Sequence, residues 1–168
     1  MLIPVAIQTL VATEPPNPSV LVLCPANDLT VSRTRRIVPI WVGAHEAAQI
    51  SAAIQHLSFK RPMTHTLMLD ALATLDATVE EVQIVDVQDV TFFAHVILKH
   101  GGDIITLDAR PSDAVVLALR SNAPLYMADT VFERASYPFI FKEEPTNEDE
   151  LKEFEAWIQD ISPDDFAQ

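Results

Sequence analysis

The chain has 168 residues, 49% of them hydrophobic and 21% charged, which suffices for one domain with its own core and a short appendage. This composition excludes a disordered chain, and no apolar run approaches the ~20 residues of a membrane-spanning helix. The net charge of -13 argues against a broadly basic surface of the kind that binds nucleic acid.

Cysteine content and the N-terminal sequence bear on cellular location. Cys24 is the only cysteine, so no disulfide forms within the chain, as is typical of a reducing cytosol. The first basic residue is Arg33, so no charged segment precedes an apolar stretch and no signal peptide is recognisable. We expect a cytoplasmic protein without a membrane segment.

The acidic residues are concentrated at the C-terminus. Residues 143–168 hold ten acidic side chains and one lysine, so residues 1–142 are only mildly acidic. In residues 146–161, apolar side chains recur at helical spacing and give one apolar face: Leu151, Phe154, Trp157 or Ile158, and Ile161. We predict a domain over 1–142 and an acidic helical tail over 143–168. This tail is either a solvated helix or an element that lowers nucleic-acid affinity.

The first half of the chain predicts three strands followed by two helices. The strands are rich in Val and Ile and end at turn residues: Met1–Thr13, Val20–Cys24 and Arg36–Val42. Pro39 predicts an edge position or a bulge in the third strand. Apolar residues recur at helical spacing from Ala44 to Leu57, and again after Thr64, which can cap the second helix.

The second half predicts four more strands and two more helices. The strands follow the same signals: Val79–Asp89, Thr91–His100, Asp103–Ala109 and Pro124–Met127. Residues 101–102 are a Gly-Gly hairpin signal, Pro111 fits the first turn of a helix ending near Arg120, and Asp129 can cap a last helical turn. Together the elements predict an α+β domain with a mixed, mostly antiparallel sheet and three or four packed helices.

The start of the first predicted helix resembles a zinc motif but lacks a ligand. The sequence His45-Glu46-Ala47-Ala48-Gln49 has Gln49 where the motif needs a second His, so we exclude a zinc protease. Glu46 then has two interpretations. Its carboxylate either is stabilised by the helix dipole in the first turn or belongs to a functional site.

The segment between the two helices gathers three kinds of polar group within five residues, in the sequence Arg61-Pro62-Met63-Thr64-His65. Arg61 can hold a phosphate bidentately while His65 transfers a proton as acid or base. The alternative is structural, with Thr64 as the helix cap and His65 as a partly exposed helix residue.

The densest group of polar residues is Asp108-Ala109-Arg110-Pro111-Ser112-Asp113, where a strand ends and a helix begins. Free N–H groups and the positive end of the helix dipole attract anions at such a point. Asp108 and Asp113 are oxygen ligands suited to Mg²⁺ or Mn²⁺, and Arg110 suits a phosphodiester. The alternative is that Asp and Ser cap the helix while Arg110 pairs with Asp108.

Taken together, these motifs resemble the bifunctional nuclease domain family over roughly residues 2–135. The matching segments are Val38-Pro39-Ile40-Trp41-Val42-Gly43 with Glu46-Ala47, then Arg61 to His65, then Asp108 to Ala114 with Arg120. Thr66 stands where an Asp commonly follows the His in the family. The resemblance implies action on both DNA and RNA.

Two functions from different classes follow as hypotheses. In the first, a nuclease holds Mg²⁺ or Mn²⁺ through Asp108 and Asp113, with His65 and Glu46 also catalytic. Its substrate-binding residues are the polar side chains of the same motifs: Arg61, Thr64, Arg110, Ser112 and Arg120. In the second, these motifs stabilise turns and an oligomer interface of a non-enzymatic binding or regulatory module with a scaffold role, which the acidity of the chain favours.

The first predicted helix also suggests an assembly. It is rich in small side chains, which let two backbones approach closely: Ala44, Ala47, Ala48, Ala52 and Ala53. Together with an edge strand at Pro39, these residues predict a homodimer.

Overall fold

A computed structural model describes residues 1–13, 17–26 and 34–140, so the tail predicted over 143–168 lies outside the described residues. Eight strands are found in this part: β1 Leu2–Val11, β2 Ser19–Pro25, β3 Thr34–Val42, β4 Ala77–Gln88, β5 Thr91–His100, β6 Asp103–Ala109, β7 Leu125–Ala128 and β8 Tyr137–Ile140. Four helices accompany them: α1 Ala44–Ile54, α2 Thr64–Thr74, α3 Pro111–Ser121 and α4 Asp129–Ala135.

The strands form one mixed sheet in the order β6-β5-β4-β7-β1-β2-β3-β8. Every neighbouring pair is antiparallel except β4 with β7. The predicted hairpin is confirmed, since His100 pairs with Asp103 and Gly101 has a φ of 59° that glycine tolerates. The sheet and helices together confirm the α+β class.

The end of the described chain differs from the prediction, because β8 follows α4. Strand β8 pairs with β3 over Thr34 to Ile37, and Arg36 donates hydrogen bonds to the hydroxyl and carbonyl oxygens of Ser136, at 2.8 and 2.9 Å. Strand β3 therefore lies between β2 and β8. Pro39 lies beyond the pairing with β8, where it interrupts no ladder on that side.

The predicted caps are wrong, because Thr64 and Asp129 are the first helical residues and not the residues before them. The N-caps are Met63 and Ala128, and neither helix has a side-chain cap bond. A cap needs extended backbone so that its oxygen reaches the next turn's N–H groups. Asp129 instead binds the N-terminal amine of Met1 at 2.9 Å.

Helix α3 likewise begins without a side-chain cap. Arg110 is its N-cap and Pro111 is its first residue, which confirms the helix start predicted from the proline. The alternative in which Asp and Ser cap this helix is therefore wrong. Its first N–H groups remain available to other acceptors.

Helices α1 and α3 pack beside each other on one face of the sheet, over a core that contains Leu21, Leu23, Ile50 and Val115. Three alanines of α1 serve this packing, since Ala47, Ala52 and Ala53 are buried within the chain, whereas Ala44 and Ala48 are exposed. The three buried alanines are unavailable for the subunit contact predicted from this helix. None of the helices in the described part is long and apolar enough to cross a membrane.

Candidate functional site

Four polar side chains from three helices form one network, which we call the arginine–carboxylate cluster: Glu46, His65, Arg110 and Asp113. The guanidinium of Arg110 donates from Nη1 to Glu46 at 2.9 Å and from Nε to Asp113 at 2.8 Å. The other oxygen of Asp113 lies 3.0 Å from Nε2 of His65. Arg110 is the most open member, with 65% of its side chain exposed.

Helix starts bring these residues together. Glu46 lies in the first turn of α1, His65 is the second residue of α2, and Asp113 follows the N-cap Arg110 by three positions. Residues three apart on a helix are neighbours, which explains the Arg110–Asp113 pair. The packing of α1 beside α3 adds Glu46. The alternative pairing of Arg110 with Asp108 is therefore replaced by pairs with Asp113 and Glu46.

The cluster keeps its carboxylates ionised. Partial burial by itself raises the pKa of Asp113, but hydrogen bonds from Arg110 and His65 and their charges outweigh it, so the pKa lies below 3.8. A hydrogen bond from its own backbone N–H, and then Arg110, lowers the pKa of Glu46 below 4.5. The same pairs raise the pKa of Arg110. At neutral pH the cluster therefore holds two carboxylates and one guanidinium.

These pKa shifts predict an acid-sensitive contribution to folding. A carboxyl group whose pKa is lower in the folded than in the unfolded state stabilises the fold above its unfolded pKa. We expect the difference in unfolding free energy between wild type and Glu46→Gln/Asp113→Asn to be constant above the usual values of 4.5 and 3.8. This difference should shrink as the pH falls further, through the lower pKa values that Glu46 and Asp113 have in the folded protein. Urea unfolding at several pH values measures it, and a difference independent of pH down to full protonation would contradict the network.

His65 is enclosed by this arrangement. Only 14% of its side chain is exposed, Nε2 faces Asp113, and Nδ1 is buried without a hydrogen-bond partner in the described part of the chain. Neither ring nitrogen is open to a substrate in this conformation. The geometry favours a positioning role for His65, which holds the carboxylate of Asp113, over direct proton transfer.

The expected metal ligands are not brought together. The neighbours of Asp108 on β6, Leu107 and Ala109, pack against the core on the side of α3, so Asp108 lies on the opposite face of the sheet from Asp113. Residues 1–13, 17–26 and 34–140 contain no group of three or more His, Cys, Asp or Glu side chains able to hold a metal ion. Between Glu46 and Asp113 lies the guanidinium of Arg110. These residues do not fit a resident Mg²⁺ or Mn²⁺ in this arrangement.

The expected substrate-binding residues lie in different environments. Arg61 and Thr64 are exposed at and before the start of α2, while Ser112 is buried at 6% exposure. Arg120 lies in the last turn of α3, away from the cluster. Only Arg110 is both exposed and part of the cluster.

Gly43 belongs to a segment that carries the family resemblance, and it shapes the site although the motif alone indicates no role for it. It is the N-cap of α1, with an ordinary φ of -69°, so its backbone does not require glycine. A Cβ atom at this position would overlap Oε2 of Glu46. The signal in the sequence was a glycine just before a helix with Glu in its first turn.

Gly43→Ala should therefore leave the fold intact but displace the carboxylate of Glu46 from Arg110. Because the overlapping atom ends a flexible side chain, we expect little change in melting temperature. Any loss of function should match that of Glu46→Gln and add little to it in the double variant, since the two changes act on one contact. Gly102→Ala, which meets open space, is the control. Fully additive losses in the Gly43 and Glu46 double variant would contradict this contact.

The fold and the cluster together define an α+β domain with an exposed arginine site where its helices begin. Residues 29–139 match the bifunctional nuclease domain, and the chain belongs to this family. The resemblance seen in the sequence is thereby confirmed.

The chain is also similar to uncharacterized proteins of Mycobacterium tuberculosis, from two strains. Each is 39% identical to it over 158 residues, which cover 91% of this chain and 91% of the relative. The similarity therefore extends over nearly the whole length of both chains.

Proposed function

We propose that this protein is a cytoplasmic nuclease that hydrolyses phosphodiester bonds of DNA and RNA, with Arg110 as the residue that contacts the reacting phosphate. Family membership supports the reaction class. One observation carries the assignment to a site. The guanidinium of Arg110 is fixed by two carboxylates, at 2.8 and 2.9 Å, and is still largely exposed.

The fixed orientation of Arg110 suits phosphate recognition. Its Nε and Nη1 atoms are occupied by Asp113 and Glu46, which leaves Nη2 for a phosphoryl oxygen. An arginine that is already oriented loses less entropy on binding and stabilises developing charge without rearrangement. Asp113 and His65 are positioning residues in this proposal, because they act through Arg110.

The start of α3 supplies further donors. Pro111 has no N–H group, and the N–H groups of Ser112 and Asp113 have no side-chain cap. Backbone N–H groups at a helix start, together with the helix dipole, favour an anion. We place the phosphate where these groups and Arg110 converge, so Ser112 contributes its backbone while its side chain stays buried.

The reaction is hydrolysis. A water oxygen bonds to phosphorus and gives up a proton to solvent, the ester P–O bond breaks, and the leaving oxygen takes up a proton from solvent. Glu46 is partly exposed and ionised, so its carboxylate can accept a hydrogen bond from the attacking water and orient it. No step of this proposal passes through a metal ion, because the donor set does not fit one here.

The alternative is a non-enzymatic binding or regulatory module. It is favoured by charge, since the chain carries -13 in total and the cluster has two carboxylates for one guanidinium. In such a module an acidic tail over 143–168 would lower affinity for nucleic acid further. The two functions differ in one outcome, because a binding module leaves the bound strand intact.

The test is cleavage of an end-labelled DNA strand and of an RNA strand by purified protein, with and without a chelator. Wild type, Arg110→Ala and the control Arg134→Ala are compared, since Arg134 is an exposed arginine on α4. We expect cleavage that follows the protein through purification and is lost in Arg110→Ala alone. Equal cleavage by all three proteins would assign the activity to a contaminant or to another site.

We also propose that the protein is a homodimer, on a different surface from the one predicted. Helix α2 has no buried residue, and three large apolar side chains in it and at its ends are exposed, four and then eight residues apart: Met63, Leu67 and Leu75. A contiguous exposed apolar stripe is typical of an interaction site. A second copy of this chain would cover the stripe.

Charge placed in this stripe should separate the subunits. We expect wild type to scatter light as a dimer at micromolar concentration and Leu67→Glu/Leu75→Glu to scatter as a monomer. Ile104→Glu is the control and should remain a dimer, because Ile104 lies on β6 and is about as exposed as Leu67 and Leu75. A monomeric wild type would contradict this assembly.

A further inference from the structure

Arg120 is a half-buried arginine whose guanidinium has few hydrogen-bond partners. Its only hydrogen bond to a described residue is from Nη1 to the carbonyl oxygen of Leu57, at a long 3.5 Å. Its Nε and Nη2 atoms are buried without a partner, and no described carboxylate lies within ion-pair distance. Burying charged donors without acceptors is unfavourable. Because Nε and Nη2 are closed to solvent, the side chain of Arg120 turns toward an added acceptor in order to satisfy them.

A pocket of about 320 Å³ lies beside Arg120, where α1, α2 and α3 come together. Its polar lining is two hydroxyls, an amide, an imidazole and one carboxylate: Ser58, Thr66, Asn122, His56 and Asp70. Hydroxyl and amide groups donate hydrogen bonds to oxyanions. Apart from the carboxylate of Asp70, the pocket therefore combines an unsatisfied cation with neutral donors, which is the chemistry that suits a phosphate.

The pocket and the arginine–carboxylate cluster lie along one side of the molecule. Asp113 and Arg120 are seven residues apart on α3, so they share a helix face and are separated by roughly 10 Å along the axis. The start of α2 borders both places, because His65 contacts Asp113 and Thr66 lines the pocket. From Arg110 to Arg120 the rise is about 15 Å, or about four steps at the 3.4 Å rise of one DNA strand.

We propose that the Arg120 pocket binds a second phosphate of the nucleic-acid strand, a few nucleotides away from the phosphate at Arg110. This inference rests on the proposed function, since it takes the strand to be the ligand of the cluster. A strand long enough to reach both points gains the second contact, whereas a dinucleotide reaches one. The pocket thus gives the protein a preference for longer strands over dinucleotides.

Asp70 opposes this contact. Its carboxylate lines the same pocket and repels an incoming phosphate. As a single substitution, Asp70→Asn should therefore tighten binding of a long strand relative to wild type. Added to a variant in which Arg120 is already replaced, it should have little effect.

The experiment measures fluorescence anisotropy of a labelled dinucleotide and of a strand of about twelve nucleotides, with phosphorothioate linkages to prevent cleavage. Arg120→Met keeps the aliphatic length and removes the charge, while Arg134→Met removes a charge from an exposed arginine elsewhere. We expect Arg120→Met to weaken the longer strand about tenfold and to lower its salt slope by about 0.7. It should leave the dinucleotide unchanged, and Arg134→Met should bind both ligands as wild type does.

The melting temperature of Arg120→Met distinguishes a binding role of Arg120 from a structural role. Because Arg120 is poorly satisfied, Arg120→Met should melt at the same temperature as wild type or higher. A clear fall in melting temperature together with unchanged strand binding would overturn the proposal. A second result would also overturn it: inorganic phosphate raises the melting temperature of wild type but not of Arg120→Met, while the longer strand binds wild type and Arg120→Met equally. The ligand of the pocket would then be free phosphate.

Failure of the proposed function gives a different pattern. If no strand is cleaved but the longer strand still depends on Arg120, the nuclease assignment fails and the second phosphate contact stands. If cleavage depends on Arg110 but binding is independent of Arg120 at every length, the second contact fails alone.

Discussion

Replacing Asp113 by asparagine is expected to lower the rate of strand cleavage by about 100-fold or more, within the range seen when a preorganised electrostatic contact is removed. The carboxylate accepts hydrogen bonds from Nε of Arg110 and from Nε2 of His65. An amide has one oxygen for these two donors and turns its NH₂ group toward the other. Arg110 and His65 then lose their common acceptor, and Arg110 loses the orientation in which Nη2 faces the phosphate.

Two further aspartates on β6 provide comparison variants for Asp113→Asn. Asp103→Asn makes the same chemical change at the exposed start of the strand and should cleave as wild type does. Asp108→Asn tests the metal site expected from the sequence, because a metal held by Asp108 and Asp113 would make the two variants equally inactive. Circular dichroism establishes that each variant is folded. Unimpaired cleavage by folded Asp113→Asn would contradict the role given to the cluster.

Ile50→Ala is expected to have the largest effect on stability, a loss of about 2–5 kcal/mol from a total of roughly 5–15 kcal/mol. Ile50 is completely buried on the inner face of α1. Removing its side chain beyond Cβ leaves a cavity, which adds to the lost transfer free energy. Because α1 carries Glu46, the same residue holds one side of the cluster in place.

Ile54→Ala, one turn later on α1, is the matched control, because its side chain is 39% exposed. Urea unfolding should show a much smaller loss for this variant. Below its melting transition, Ile50→Ala should retain most of its cleavage rate per folded molecule, since no group of the cluster is removed. Similar losses of stability in the two variants would contradict the assignment of α1's buried face.

Most of the fold could be predicted because local patterns agree with it. Alternation of apolar residues indicated β4 and β5, the Gly-Gly turn indicated β6 as the partner of β5, and Pro111 indicated the start of α3. Strand β8 could not be predicted in the same way. It has only four residues, contains Pro138, and is held by β3, about a hundred positions earlier in the chain.

The residues of the site could be found in the sequence, but their partners could not. Arg110, Asp113, His65 and Glu46 all belong to motifs with recognisable chemistry. Their contacts join residues 64 and 48 positions apart, which depend on how α1 and α2 pack against α3. Asp108 shows the limit of local reasoning, since proximity in sequence suggested a pair with Arg110 while strand alternation turns its side chain to the other face of the sheet.

The central claim is that the arginine–carboxylate cluster acts as one unit in strand cleavage. Single-turnover cleavage of one labelled strand by wild type, Glu46→Gln, Asp113→Asn and the double variant tests it most directly. Residues that act as a unit have non-additive effects, so the double variant should cleave no more slowly than Asp113→Asn alone. Losses that add fully in the double variant, or cleavage by all four proteins at the wild-type rate, would contradict the claim.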